Sequence, residues 1–284
     1  MLASYRTKTL NYSYQIAGLL ALFVCLGSFV WITGDIIIQG FAKFSLDFLT
    51  DSPLNAGRAG GIRPVLTSTS LILAIALITT LPFATLTGLF FSAKLFKPTA
   101  LFLPLQRFVD VLAGVPSVVF GLFGNTYFSH YLGMGYSILS GGLTLACMIL
   151  PLATKIIQNC FVSIPDELIL SAEALGLSKW NIFRKVMLPA ITPQIAAVYI
   201  LCIGRALSET AALLFTSGYV MRDPSSLLDS GRTLSIHIYD LAMNVSGANV
   251  NAYRTAFVLI MFLYIINLSA HIIVKKWQKV THGI

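Results

Sequence analysis

Residues 163–193 read SIPDELILSAEALGLSKWNIFRKVMLPAITP and form the longest polar-rich interruption in the second half of an otherwise apolar chain. Ser163 is followed three residues later by Asp166. A side chain that caps the first turn and an acid that reaches back to it are typical of a helix start. The pattern therefore predicts a short helix that begins at Ser163.

An apolar stripe follows this predicted start. Leu168, Ala172 and Leu175 recur at i, i+4 and i+7, so they share one face of a helix until Gly176 breaks the pattern. A second stripe then begins, made of Trp180, Phe183 and Met187. Two interpretations remain open at this point: an amphipathic helix that lies on a membrane surface, or a docking element that another protein grips.

The composition indicates a membrane protein. Of the 284 residues, 56% are hydrophobic and 11% are charged, and the mean hydropathy is +0.81, whereas soluble domains carry roughly a quarter charged residues. The net charge of +8 comes from basic residues spread between apolar segments, which favours a lipid bilayer over nucleic acid as the partner. The four cysteines stand singly in or beside apolar runs, which predicts neither disulfides nor zinc: Cys25, Cys147, Cys160 and Cys202.

Six apolar segments are long enough, or nearly so, to span a hydrocarbon core, which needs about 20 residues per helix. They lie near residues 16–38, 65–91, 108–131, 137–154, 190–217 and 253–274. The first exceeds the usual apolar core of a signal peptide and is expected to stay as an anchor. An even number of spans places both termini on the same side of the membrane.

The distribution of basic residues predicts which side that is. Twelve Lys and Arg residues fall on the side of the termini and six on the opposite side. Cytoplasmic loops carry the excess of Lys and Arg. The sequence therefore predicts cytoplasmic termini and a cytoplasmic location for residues 163–189.

The third apolar segment carries small residues at helical spacing. Gly114, Ser117, Gly121 and Gly124 follow one another at i, i+3, i+7 and i+10. In a single straight helix these residues would form one face on which a second helix can approach closely.

Ionisable residues inside the spans are the best candidates for chemistry, because a charge left in lipid costs several kcal/mol. Arg205 and Glu209 stand four apart in the fifth segment and are expected to pair on one helix face. They are either an ion pair that fixes packing or a pathway site for an anion. Asp110 is a candidate further partner, and Lys155 is expected to be an interfacial anchor. The sequence contains no GxxxxGK[ST] loop, no HExxH and no GxSxG, so an enzyme has little support.

The opening stretch resembles the EAA loop of ABC importer membrane subunits. Gly176, nine further residues and then Val186-Met187-Leu188-Pro189 match G-x9-I-x-L-P, and residues 164–168 (IPDEL) resemble the V-P-D-E-L that precedes it. The resemblance implies a coupling helix at about 163–180 that sits in a groove of an ATP-binding subunit. It assigns this role to Pro165, Asp166, Leu170, Ala172, Gly176, Leu188 and Pro189, with Leu170 at the position where the family usually has an acid.

Two further segments resemble phosphate-specific (Pst) permeases. Residues 114–124 (GVPSVVFGLFG) are similar to their G-[IV]-P-S-[IV]-V-[FY]-G-L-F-G, and residues 205–216 (RALSETAALLFT) are similar to R-x-x-G-E-T-A-P-L-L-F-T. Ser208 and Ala212 depart from the Gly and Pro of that pattern. The L-L-F-T ending favours the A-type over the C-type subunit.

The resemblance implies an all-α polytopic protein of the type I ABC importer permease fold, with six transmembrane helices, in the bacterial inner membrane. It implies a cytoplasmic tail (1–15), a first helix with a periplasmic loop (16–64), a transporter domain (65–275) and a second tail (276–284). The implied function is phosphate import, with Arg205, Glu209 and Thr210 in the substrate pathway.

The implied partners are a C-type permease, a dimer of ATP-binding subunits, which use ATP and Mg, and a periplasmic phosphate-binding protein. No cofactor is expected on this chain itself. Two other functions stay open: an ABC permease for another oxyanion, such as phosphonate, sulfate or molybdate, and a non-ABC channel or membrane scaffold.

Overall fold

The computed structural model describes the backbone of residues 2–96 and 98–282, and the side chains of residues 14–96 and 98–272. Helices dominate the described chain. They are α1 (Leu2–Ala42), α2 (Asp47–Thr50), α3 (Arg63–Phe91), α4 (Phe102–Ala113), α5 (Ser117–Gly124), α6 (Ile138–Val162), α7 (Asp166–Ala174), α8 (Lys179–Ile182), α9 (Leu188–Leu207), α10 (Ala211–Leu214), α11 (Leu234–Met243) and α12 (Asn249–His282). Two π-helical segments, Asn125–Tyr131 and Phe183–Met187, continue α5 and join α8 to α9. A small antiparallel hairpin pairs β1 (Pro53–Leu54) with β2 (Ala59–Gly60).

The predicted all-α membrane architecture is confirmed. Among the described residues, five helices are long and apolar enough to cross a bilayer, and the number is six if the bent pair Phe102–Ala113 and Ser117–Tyr131 is counted as one span. The five are Tyr14–Ala42, Arg63–Phe91, Ile138–Val162, Lys179–Leu207 and Asn249–Ile272. The fourth predicted span was too short, because α6 continues past residue 154 to Val162.

The third span is broken rather than straight. The axis of α4 and that of the segment Ser117–Tyr131 differ by 103°. Pro116 lies at the break, where its ring removes a backbone donor and restricts the residue before it. The prediction of one small-residue face was therefore wrong: Gly114 ends the first arm, whereas Ser117, Gly121 and Gly124 belong to the second.

Helices α3 and α6 form the centre of the bundle. A Cβ atom on Gly88 of α3 would lie 2.9 Å from the Cγ2 atom of Ile157, and one on Gly142 of α6 would lie 2.6 Å from the Cγ2 atom of Ile75. The two glycines therefore permit a close approach that larger residues would prevent. Ile72 of α3 is buried in the surrounding core, which also contains buried hydroxyl groups.

Helix α1 stands apart from this centre and packs on α12. The Cβ of Phe257 would lie 2.5 Å from a Cβ on Gly40, and the Tyr253 hydroxyl donates to the Asp35 carboxylate at 3.2 Å. The apolar window of α1 is otherwise exposed throughout. Such a surface is suited to lipid or to another membrane subunit.

The fifth span ends earlier than the sequence predicts. Its helix runs from Lys179 to Leu207, the chain leaves helical conformation after Ser208, and α10 begins at Ala211. Residues 218–252, between the fifth and sixth predicted spans, contain α11. The Thr233 hydroxyl caps this helix by accepting a hydrogen bond from the Ile236 amide.

Candidate functional site

Residues 163–178 lie between two spans and contain the short helix α7, which starts later than predicted, whereas residues 179–193 already belong to the fifth span. Ser163 is the last residue associated with α6, and its hydroxyl donates to the Cys160 carbonyl at 2.8 Å. Helix α7 begins at Asp166, after Pro165, and has no side-chain cap. The predicted capping box was therefore wrong, because the longer α6 takes Ser163 into its own end. Asp166 and Glu167 instead place negative charge in the first turn of α7.

The buried face of α7 also differs from the predicted stripe. Ile169 and Ala172 are buried against the core, whereas Leu168 and Leu175 face outward. The apolar residues that α7 and the start of α8 expose are Leu168 (48% exposed), Leu170 (62%), Leu175 (80%) and Trp180 (61%). The segment thus exposes four large apolar side chains beside the exposed acids Asp166, Glu167 and Glu173.

Gly176 terminates α7 in a left-handed conformation. Its φ angle is +73°, its amide donates to the Glu173 carbonyl at 2.9 Å, and the Leu177 amide donates to the Ala172 carbonyl at 3.2 Å. This pair of hydrogen bonds is the Schellman motif, which favours glycine at this position. The glycine of the EAA-like motif is therefore favoured by the left-handed end of α7.

Leu188 and Pro189 mark the start of α9, directly after the π-helical segment Phe183–Met187. Pro189 has no amide hydrogen to donate within the helix. Leu188 is half-buried and Pro189 is exposed. Both residues lie within the fifth span, where the π-helical segment passes into α9.

Arg205 and Glu209 approach one another at the end of that span. The Arg205 Nη2 atom lies 3.7 Å from Glu209 Oε2, and the two side chains are 48% and 5% exposed. Glu209 lies two residues beyond Leu207, the last residue of α9, so the expectation that both residues share the helix was wrong in that detail. Their spacing still pairs them because Ser208 keeps near-helical backbone angles.

Glu209 also organises the break in the span. Its Oε1 atom accepts a hydrogen bond from the Ala212 amide at 3.2 Å, and its backbone carbonyl accepts one from the Ser235 hydroxyl at 2.6 Å. Thr210 precedes α10, is half-buried, and accepts a hydrogen bond from the Leu214 amide at 3.0 Å through its carbonyl.

The two broken spans meet at this point. A Cβ on Gly121 would lie 2.8 Å from the Cα of Ala212, and a Cβ on Gly124 would collide with the Thr144 side chain of α6. Ser117 is half-buried, whereas Gly114 is exposed and has only the Val111 carbonyl nearby, at 3.5 Å.

Asp110 and Lys155 pair with each other. The Lys155 Nζ atom lies 2.7 Å from Asp110 Oδ1, which joins α4 to α6. Sequence reasoning named both residues but assigned Lys155 to the membrane interface and considered Asp110 for Arg205. Opposite charges near the same end of neighbouring spans were the signal for this pair.

A buried polar cluster, not predicted from the sequence, holds α11 to the loop before it. Arg232 donates to Asp240 Oδ2 at 2.7 Å and to the Tyr219 carbonyl at 3.0 Å, with its Nη1 atom 3.5 Å from His237 Nδ1. Burial lowers the pKa of His237 from 6.5 to about 4; Arg232 adds to this effect and Asp240 opposes it. Within the described residues, no group of three His, Cys, Asp or Glu side chains could hold a metal ion.

The chain is similar to known transport proteins along most of its length. The family model described as "Binding-protein-dependent transport system inner membrane component" matches residues 81–279. A probable ABC transporter permease protein, YqgI of Bacillus subtilis (strain 168), is 30% identical over 252 residues, which cover 83% of this chain and 85% of the relative. The phosphate transport system permease protein PstA 2 of Mycobacterium bovis is 26% identical over 266 residues, 93% of this chain and 87% of the relative.

A solved structure supports the same architecture. A subunit of a bacterial ABC transporter involved in the import of the acidic polysaccharide alginate superposes with a TM-score of 0.68 and 15% identity, over 92% of this chain and 94% of that one. This likeness concerns the fold, which is that of a type I ABC importer permease. The family match and the apolar helices make the chain a multi-pass protein of the inner membrane. It belongs to the binding-protein-dependent transport system inner membrane component family, the permease subunits of ABC importers.

Proposed function

We propose that this permease subunit imports inorganic phosphate, that it forms half of the translocation pathway, and that Arg205 lies in that pathway. The observation that carries this proposal is the environment of Arg205: a guanidinium on a spanning helix that is 48% exposed and lies beside a carboxylate that is 5% exposed. An exposed cation on an apolar spanning helix needs an anionic or aqueous partner, because lipid solvates it poorly.

The geometry leaves Arg205 available for an anion. At 3.7 Å, its contact with Glu209 is longer than a hydrogen bond between charged groups, which measures about 2.7–2.9 Å. A guanidinium carries five N–H donors in a planar fork that matches the oxygens of phosphate. Glu209 balances the charge and limits how tightly an anion binds, and Thr210 follows it at the opening of the break.

Phosphate is the favoured cargo for two reasons. Residues 114–124 and 205–216 resemble the corresponding segments of Pst permeases, and a relative that aligns with 93% of this chain is named a phosphate permease. The main alternative is another oxyanion such as phosphonate, sulfate or molybdate. An Arg205 fork would also bind these ions, and Ser208 and Ala212 depart from the Pst pattern.

The coupling segment, residues 163–180, is proposed to dock on a separate ATP-binding subunit through its exposed leucines. Leu170 stands where the family has an acid, so apolar contacts from Leu168, Leu170 and Leu175 would carry the binding. ATP and Mg would be used by that subunit. A C-type permease would supply the other half of the pathway and a periplasmic binding protein would deliver phosphate. The positive-inside rule supports cytoplasmic termini.

Reconstitution with the neighbouring gene products in proteoliposomes tests the proposal. We expect ATP-dependent uptake of radiolabelled phosphate that excess sulfate, molybdate or methylphosphonate does not inhibit. The variant Arg205→Gln should assemble normally and lose most uptake, while Arg205→Lys, which keeps the charge but not the fork, should retain part of it. Unchanged uptake by an assembled Arg205→Gln transporter would refute the pathway role. Uptake of another radiolabelled oxyanion in the same assay would identify that ion as cargo.

A further inference from the structure

The residues that follow α3, Ser92 to Phe96, contact the coupling segment and are here named the α3 exit segment. Within it, Lys94 reaches the start of α7. Its Nζ atom donates to the Ile164 carbonyl at 2.9 Å and to Asp166 Oδ1 at 2.5 Å. The Lys94 side chain is only 14% exposed, whereas that of Asp166 is 74% exposed. Lys94 is therefore the anchored partner and Asp166 the accessible one.

A second contact reaches the other end of the coupling segment. The Lys179 ammonium lies 5.3 Å from the centre of the Phe96 ring, at a distance typical of a cation–π interaction. Lys179 is the first residue of α8, beyond the turn at Gly176. The α3 exit segment thus contacts the chain on both sides of α7.

The α3 exit segment is itself held in a defined shape. The Ser92 hydroxyl donates to the Leu89 carbonyl at 2.7 Å, and Ala93 adopts a φ angle of +54°, which is unusual for a residue with a Cβ atom. Leu95 is buried in the main core, and the Gln158 amide of α6 donates to the Phe91 carbonyl at 3.0 Å. A displacement of Lys94 would therefore act on α3 and not only on a loose loop.

We propose that Lys94 is a positioning residue that transmits movement of the coupling helix directly to α3. The inference rests on the proposed docking of α7 to an ATP-binding subunit. The backbone links α7 to α6 and to α8, and Ile169 and Ala172 pack α7 against the core. The contacts of Lys94 add a polar connection to the end of α3, the helix that packs along α6 at the centre of the bundle. A charge-assisted hydrogen bond and a carbonyl contact on one ammonium make this connection stronger than an exposed ion pair alone.

The test compares coupling efficiency in the reconstituted transporter. We expect Lys94→Met to assemble with the ATP-binding subunit and to keep the KM for ATP. The number of ATP molecules hydrolysed per substrate imported should rise about five-fold or more, because five-fold is the lower end of the factors by which coupled sites typically affect one another. Lys185→Met removes an exposed lysine between α8 and α9 and should leave this ratio unchanged.

Further variants keep the inference falsifiable if Lys94→Met does not assemble. Asp166→Asn weakens the same contact from its exposed side and should also raise the ratio, and Lys94→Arg should preserve it. The exchange Lys94→Asp with Asp166→Lys should restore part of the coupling that Lys94→Asp loses. An unchanged ratio in the assembled Asp166→Asn and Lys94→Met transporters, or an equal rise in Lys185→Met, would overturn the inference.

The wild-type protein separates this inference from the proposed function. If the reconstituted complex imports another oxyanion, the ratio is measured with that ion and the role of Lys94 stands or falls by the same comparison. If no ATP-binding subunit copurifies with the wild type, the proposed docking fails and the inference fails with it. If docking and uptake are normal but the ratio does not change, only the role of Lys94 is refuted.

Discussion

The guanidinium of Arg205 and the carboxylate of Glu209 lie 3.7 Å apart in very different surroundings, the first 48% exposed and the second 5% exposed. The other carboxylate oxygen of Glu209, Oε1, accepts a hydrogen bond from the Ala212 amide. The carboxylate therefore has a structural task that Arg205 lacks. This asymmetry predicts that the two residues respond differently to substitution, which a simple packing ion pair would not do.

Glu209→Gln should fold but transport poorly. The glutamine carbonyl still accepts the Ala212 amide, whereas the charge that balances Arg205 is lost, so the anion is expected to bind more tightly and leave more slowly. We expect a lower KM and a lower maximal rate of uptake, measured in proteoliposomes. Glu209→Leu also leaves the buried amide without its acceptor, which costs about 1–3 kcal/mol, and should lower the melting temperature in detergent. Equal melting temperatures for the two variants would contradict the structural task.

Gly121→Ala should push the two broken spans apart at their contact with Ala212. The new Cβ would lie 2.8 Å from the Cα of Ala212 and 3.1 Å from its carbonyl oxygen, both backbone atoms that cannot rotate away. We expect a loss of stability of about 1–3 kcal/mol from overpacking and reduced uptake. Gly114→Ala is the matched control, because the closest atom to its new Cβ is the Val111 carbonyl oxygen at 3.5 Å. Equal melting temperatures for the two alanine variants would argue against the close approach.

Sequence patterns predicted the spans well because the thickness of a bilayer imposes a length on each apolar segment. They also identified Gly176, since a left-handed helix end leaves a local signature. They failed where distant residues decide the outcome. Ser163 and Asp166 satisfy a capping pattern, but the packing of α6 against α3 extends α6 through that site.

Breaks and partners were equally hard to predict from spacing. Pro116 is visible in the sequence. Whether a proline only kinks a helix or separates it into two arms, here at 103° to each other, depends on what each arm packs against. The pairing of Asp110 with Lys155 required the relative placement of α4 and α6. The buried contact of Arg232 with Asp240 depends on how the loop before α11 folds back.

Gly176→Asn and Gly176→Val should have different effects on coupling. The φ angle of +73° is accessible to asparagine at modest cost but disfavoured for a β-branched residue, which should destabilise the end of α7 by about 1–3 kcal/mol. No atom of the described residues lies within 4 Å of the Cβ position, so steric contact with them does not explain a difference. We expect Gly176→Val to lose ATP-dependent uptake while it still inserts into membranes, and Gly176→Asn to retain most of it. Loss of uptake to the same degree in both variants would indicate that any side chain at residue 176 prevents coupling, whatever its effect on the backbone angle.

The buried histidine of α11 predicts a stability that falls in mild acid. His237 has a pKa of about 4 in the folded protein and the usual 6.5 when exposed, so between these values the unfolded chain binds more protons. The contribution of neutral His237 is therefore complete above pH 6.5 and is lost as the pH falls towards 4, by about 2 kcal/mol at pH 5. We expect the drop in melting temperature between pH 7.5 and pH 5 to be smaller in His237→Gln than in the wild type. Exposed His130 provides the control, since His130→Gln should keep the wild-type drop. An identical drop in all three proteins would show that other groups set the acid sensitivity.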